Sequence, residues 1–202
     1  MANAQFRICP DTGFKICLQA DKLIKWNAVT AVVFLLIGGL FGISVALTRW
    51  PAVHLLPADL FYMALTAHGL DVLLVWIIFF EIALLYFCSA VLLNCRLAAP
   101  KVAWVAYWMM FIGALVTNVA VLRGDSSVMF TSYVPMQAAP DFYLGIIVFA
   151  VGALLGTFVF FGTLVIARQE RTYKGSVPLV VFGATVAGVI AVLTIAAGAN
   201  IL

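Results

Sequence analysis

The chain has 202 residues, of which 66% are hydrophobic and 9% charged, with a mean hydropathy of +1.18. That composition excludes a soluble globular domain and defines an integral membrane protein. The net charge of +3 comes from loop lysines and arginines and implies no nucleic-acid partner; the partner that the apolar composition implies is the lipid bilayer.

In chain order, residues 1–25 (MANAQFRICPDTGFKICLQADKLIK) are polar and carry Arg7, Lys15, Lys22 and Lys25 against Asp11 and Asp21. The apolar run that follows is too long for a signal-peptide core and has no small-residue cleavage site after it, so it reads as a first span, 26–48. Gly38 and Gly42 in that span have the spacing that lets helices approach closely, as do Gly152 and Gly156 further on. Both pairs are expected to form an interface with another chain. The loop 49–59 contains Pro51, His54 and Pro57, and His54 reads as an interfacial residue without a ligand role. The second span, 60–93, exceeds the roughly 20 residues needed to cross about 30 Å of hydrocarbon. After a short basic turn comes a third span, 102–122, whose Trp104, Tyr107 and Trp108 mark a headgroup boundary. Thr117 and Asn118 within it read as interhelical hydrogen-bonding residues. The connection Arg123–Pro140 is rich in turn formers. A fourth span, 142–167, a basic turn RQERTYK and a fifth span, 177–199, opened by Ser176 and Pro178, complete the chain.

The fold class is therefore all-α and polytopic: a cytoplasmic segment 1–25 and a transmembrane domain 26–202 of about five helices. Nine lysines and arginines fall on one side and two, Arg49 and Arg123, on the other. By the positive-inside rule the amino terminus is cytoplasmic and the carboxyl terminus outside. Cys9, Cys17, Cys88 and Cys95 form no metal-binding spacing, and the last two read as reduced and inert.

Ionisable groups inside a span are costly, which makes each one a candidate for function. The second span carries three: His68, Asp71 and Glu81. His68 is followed by Gly69 and by a stripe of Val72, Val75 and Phe79, with Asp71 within about 60° of it on a helix. This pattern admits an axial heme ligand, a histidine hydrogen-bonded between helices, or a proton-transfer group. Asp71 admits pairing with an arginine or a heme propionate from a partner chain, proton relay, or exposure in a wet crevice. Glu81 reads as half of an interhelical hydrogen bond.

The stretch ALTAHGLDVLLVW resembles the second transmembrane helix of subunit I of the heme-copper oxidases, closest to the B family (ba-type cytochrome c oxidases). That family's pattern is near YxxLTxHGxxNxxVF, matched here by Tyr62, Leu65, Thr66, His68, Gly69 and Val75. VAWVAYWMMFIGAL resembles the family's third helix, and TSYVPMQAAPDFYLG its loop of the form YPPL followed by FYLG. The resemblance implies that His68 is an axial ligand of a low-spin heme, with Gly69 beside it. It also implies that Tyr133, Pro135 and Asp71 lie near the heme or the oxygen-reducing site. Val72 stands where the family has Asn, and Val134 where it has the first Pro.

The family has about twelve helices, and its copper ligands and second heme ligands lie beyond the fifth. The resemblance therefore implies the amino-terminal half of a split subunit I, with no catalytic residue of its own. A second membrane chain is expected to bring the remaining helices, the second heme and the copper, and to share the low-spin heme. Subunit II with a copper centre, or a cytochrome c-type donor, would supply electrons, in a prokaryotic inner membrane. Two rivals remain: a nitric oxide reductase-like subunit on the same scaffold, and a non-catalytic or electron-transfer heme subunit.

Overall fold

In the computed structural model residues 5–198 are described; Ala199, at the end of the fifth expected span, and both chain termini lie outside them. Five helices among the described residues are long and apolar enough to cross a membrane: Leu18–Arg49, Ala58–Val91, Pro100–Leu122, Pro140–Gln169 and Leu179–Gly198. The protein is thus an all-α polytopic membrane protein. We label its helical elements α1 (Leu18–Arg49), α2 (Ala58–Leu70), α3 (Ile77–Tyr86), α4 (Pro100–Leu122), α5 (Pro140–Gln169) and α6 (Leu179–Gly198). The second span runs from α2 into α3 through a π-helical stretch, Asp71–Trp76, and ends in another, Phe87–Val91.

The segment before α1 departs from the plain polar tail expected of it. Phe6–Ile8 (β1) and Lys15–Cys17 (β2) pair antiparallel, Phe6 opposite Cys17, around a turn whose Gly13 takes φ +70°. Helix α1 then starts at Leu18, eight residues ahead of the expected span. Asp21 in its first turn pairs with Lys25 one turn on (2.8 Å) and with Arg7 of β1 (3.4 Å). Acid near a helix N-terminus and an i,i+4 Asp–Lys pair both favour this start. Prolines open the other spans: Pro57 precedes α2 in extended conformation, Pro100 and Pro140 are the first residues of α4 and α5, and Pro178 precedes α6.

The chain divides into two compact units. The first takes in the described residues up to Ala28, Phe80–Met109 and those from Ala150 onward. There Trp26 packs edge-on against Trp104 and Tyr107, with ring centroids 6.4 and 6.0 Å apart. The turn at 92–99 is fastened from several directions. Asn94 accepts from the Lys15 N–H (3.2 Å), the Thr172 hydroxyl donates to the Leu93 carbonyl (2.6 Å), and Arg96 pairs with Glu170 (3.0 Å). Cys95 is buried in this turn, and burial pushes its thiol up to about 11, which leaves it protonated and inert at neutral pH. Helix α6 is the least buried of the spans: Val181 and Gly188 are its buried residues, while Phe182, Val186, Val189, Ile190 and Leu193 are exposed.

The second unit comprises Val29–Phe79 and Met110–Phe149. Its centre is Phe79, fully buried, stacked on Phe34 at 6.4 Å and edge-on to Phe149 at 5.8 Å. Helices α4 and α5 cross at glycine: a Cβ on Gly113 would lie 2.6 Å from the Gly145 carbonyl oxygen, and one on Gly145 would collide with Thr117.

The glycine pairs of α1 and α5 do not serve as expected. Gly38 and Gly42 lie against the chain's own second span, at Val72, Asp71 and His68, and Gly156 lies against Ile82 and Tyr86. These close approaches are spent within the chain, so neither pair forms the exposed interface expected of it. Overpacking a site of this kind costs about 1–3 kcal/mol. Gly145→Ala is therefore expected to lower the thermal unfolding midpoint in detergent. Gly39→Ala, where an added Cβ meets nothing within 4 Å, should leave it unchanged or raised. Equal midpoints for the two variants would contradict the close crossing.

Candidate functional site

Two of the three ionisable residues that the sequence singles out on the second span, His68 and Asp71, lie in the second unit, against the glycine face of α1. His68 is half-buried, and its Nδ1 sits 2.8 Å from the carbonyl oxygen of Gly38. A carbonyl only accepts, so Nδ1 carries the proton, and in the neutral imidazole Nε2 is the nitrogen with the lone pair. The ring rests on Gly42, where an added Cβ would come 2.7 Å from Cε1 and 2.8 Å from Nδ1. A histidine that spends one nitrogen on a backbone carbonyl and keeps the other as a lone pair is oriented as metal-bound histidines are. Among the described residues no three His, Cys, Asp or Glu side chains gather to hold a bare metal ion.

Asp71 points to the same face of α1. A Cβ on Gly38 would lie 2.9 Å from the Asp71 Cβ. Asp71 is fully buried, which rules out the wet crevice. Its partner among the described residues is Asn118 of α4, whose Nδ2 donates to Oδ1 at 2.9 Å and to the Ala114 carbonyl at 3.0 Å. Oδ2 is buried without a partner among the described residues. An interhelical hydrogen bond in lipid contributes on average about 0.6 kcal/mol, so this one matters more for position than for stability. The π-helical stretch begins at Asp71, and the buried residues then recur every fourth position, at Asp71, Val75 and Phe79. A straight α-helix drifts away from such a seam; the wider π turn keeps it facing inward.

The connection Arg123–Ala139 lies over the same region of α2. Thr66, fully buried, accepts from the Met129 N–H at 2.9 Å and donates to the Tyr62 carbonyl at 2.8 Å. The room left by Gly69 is taken by Phe130, whose Cβ would be 3.1 Å from an added one. Arg123 pairs with Asp141 and with Asp125, and the Tyr143 hydroxyl meets Ser132 at 2.8 Å. Tyr133 and Pro135 are exposed, on a turn closed by the Met136 N–H to the Tyr133 carbonyl (2.9 Å). The structure thus brings His68, Asp71 and Gly69 together and leaves Tyr133 and Pro135 on the surface. Glu81, in the first unit, is half-buried and makes no hydrogen bond or ion pair among the described residues.

Three participants escape a reading by residue type. The Gly38 carbonyl is a backbone group, and its availability is signalled only by the paired glycines. Thr66, two residues before His68, looks like any helix threonine that bonds its own preceding turn. Asn118 was legible as interhelical, since an amide in a 23-residue apolar helix needs a partner, but which partner was not.

Known proteins with related sequences bear on this arrangement. The family model described as cytochrome c and quinol oxidase polypeptide I matches residues 22–202. The chain is 30% identical over 147 residues to cytochrome c oxidase subunit 1 of Thermus thermophilus, a match covering 68% of this chain and 26% of that protein. It is 30% identical over 155 residues to the heme-copper oxidase subunit I+III of Aeropyrum pernix, covering 69% of this chain and 19% of that protein. Its fold is similar to a chain in a cryo-EM structure of a heme-copper terminal oxidase dimer, with a TM-score of 0.72 and 26% identity over 83% of this chain and 29% of that one. The matches thus span less than a third of the length of each of these relatives.

The imidazole orientation is directly testable. In protein labelled with ¹⁵N-histidine and free of heme, His68 is expected to show one tautomer, protonated at Nδ1. Gly42→Ala should displace the ring and mix the tautomers. A single, unchanged tautomer in that variant would contradict the contact with Gly42.

Proposed function

Since the chain belongs to the cytochrome c and quinol oxidase polypeptide I family, we propose that it carries the first five helices of a heme-copper terminal oxidase subunit I and that His68 is an axial ligand of the low-spin heme. The observation that supports this most is the Nδ1–H bond to the Gly38 carbonyl, because it fixes the ring and raises the basicity of the nitrogen left to bind. A heme bound there supplies an iron that takes up and passes on one electron.

The chain's own residues then have distinct tasks. The Gly38 carbonyl holds the proton on Nδ1, and Gly42 gives the ring room. The Asp71–Asn118 pair fixes the turn that follows His68, while Thr66 and Phe130 hold the Arg123–Ala139 connection over α2. The absence of a side chain at Gly69 lets Phe130 approach, which helps to exclude water from beside the histidine. Tyr133 and Pro135 are assigned to the neighbourhood of the oxygen-reducing site on the family resemblance alone, as surface residues that other helices would cover.

The finer family placement, B-type, rests on Tyr62, Leu65, Thr66, His68, Gly69 and Val75. The sequence has two histidines, His54 and His68, too few for a copper site built on several imidazoles. We therefore assign the second axial ligand, the second heme and the copper to helices outside these 202 residues. Subunit II or a cytochrome c-type protein would be the electron donor. Native mass of the purified complex distinguishes a second chain from a longer single polypeptide. We further propose a prokaryotic inner-membrane location with the amino terminus cytoplasmic, on the nine-to-two charge asymmetry.

His68→Ala is expected to abolish the low-spin heme spectrum of the purified complex while membrane insertion is kept, since insertion follows summed apolar free energy and ligation follows one lone pair. His54→Ala should leave that spectrum unchanged. An unaltered low-spin spectrum in the His68 variant would overturn the assignment.

A further inference from the structure

Where α1 ends and α2 begins there is a cavity of about 460 Å³, lined in part by Thr48, Arg49, His54, Phe61 and Tyr62. The loop that shapes it is fixed rather than slack. The N–H groups of Val53 and His54 both donate to the Trp50 carbonyl at 3.0 Å. The Leu56 N–H donates to the Thr48 hydroxyl at 3.3 Å, which itself donates to the Ser44 carbonyl at 2.7 Å. His54 is held at φ +42°, a left-handed conformation that is uncommon outside glycine and persists only where its surroundings enforce it.

The charge in this cavity is one-sided. Arg123, the residue after α4, has Asp125 and Asp141 as partners. No carboxylate among the described residues is within ion-pair distance of Arg49. Its guanidinium instead lies 5.7 Å from the centroid of the Phe61 ring. Among the described residues no acid lines the cavity; Asp59 borders a neighbouring cleft with Gly124 and Ser127. Trp50, 58% exposed, follows directly, an aromatic of the type that settles at the headgroup level.

We propose that this cavity binds the phosphate of an anionic phospholipid, with the Arg49 guanidinium on the phosphate oxygens and the His54 imidazole as a second donor. A guanidinium presents paired N–H groups that match two phosphate oxygens and stays charged at all working pH values. At the end of a membrane span the abundant anion is a lipid phosphate, and its acyl chains keep it at this depth, which free phosphate lacks. The site is independent of the heme reading, because it uses neither His68 nor the glycine face beneath it.

The test is native mass spectrometry of the complex purified in mild detergent and titrated with phosphatidylglycerol or phosphatidylcholine. Wild-type protein is expected to retain one phosphatidylglycerol that Arg49→Gln binds about tenfold more weakly, the loss of one charge-assisted contact. Arg49→Lys should keep part of that affinity and His54→Ala should lose part of it, with phosphatidylcholine retained equally by all. Equal phosphatidylglycerol retention by wild type and Arg49→Gln would overturn the proposal. So would displacement of the lipid by inorganic phosphate alone, or a change in the heme spectrum of Arg49→Gln with lipid retention unchanged, which would give the cavity to a cofactor carboxylate.

Discussion

The close approach of α1 to the second span at Gly38 and Gly42 is the constraint on which the candidate site depends. Between helices in lipid the hydrophobic effect offers no net drive, so van der Waals contact and hydrogen bonds have to hold them together. Without a Cβ at either glycine, the α1 backbone comes near enough for its carbonyl to meet an imidazole at 2.8 Å. Val72, Asp71 and His68 all press on this short surface. One methyl group at Gly42 would fall on the His68 ring, and one at Gly38 on Val72 and Asp71. The glycines are thus part of the site, although neither has a side chain to contribute.

Asp71 follows from the same geometry. A carboxyl group buried in a membrane helix is costly, and Asn118 offsets only part of that cost, for one of its two oxygens has no partner among the described residues. The π-helical stretch that begins at Asp71 turns Val75 and Phe79 to the same inward side, where Phe79 joins Phe34 and Phe149. One local change in helical pitch therefore connects the polar pair to the aromatic core of this unit.

Much of this was legible in the sequence, because a membrane span is recorded as an apolar run whose length is set by the bilayer. The five spans follow from composition and apolar run length, and His68 stands out as one intramembrane histidine. What was not legible depends on close packing. GxxxG spacing reports that some helix approaches closely but not which one, so Gly38 and Gly42 read as a face for another chain when they serve this one. The β1–β2 hairpin escaped notice because six paired residues in a polar tail carry little periodic signal. The π turn escaped because no residue type marks it. His54 read as a bland interfacial residue, since a positive φ on histidine has no signature in composition.

The account rests on one nitrogen having one task. The most direct measurement is a cryo-EM reconstruction of the assembled oxidase at a resolution that shows side chains and heme. Heme iron coordinated by His68 Nε2, with Nδ1 still on the Gly38 carbonyl, is the predicted result. Iron bound to another residue, or a His68 ring turned away from Gly38 in the heme-loaded complex, would contradict it.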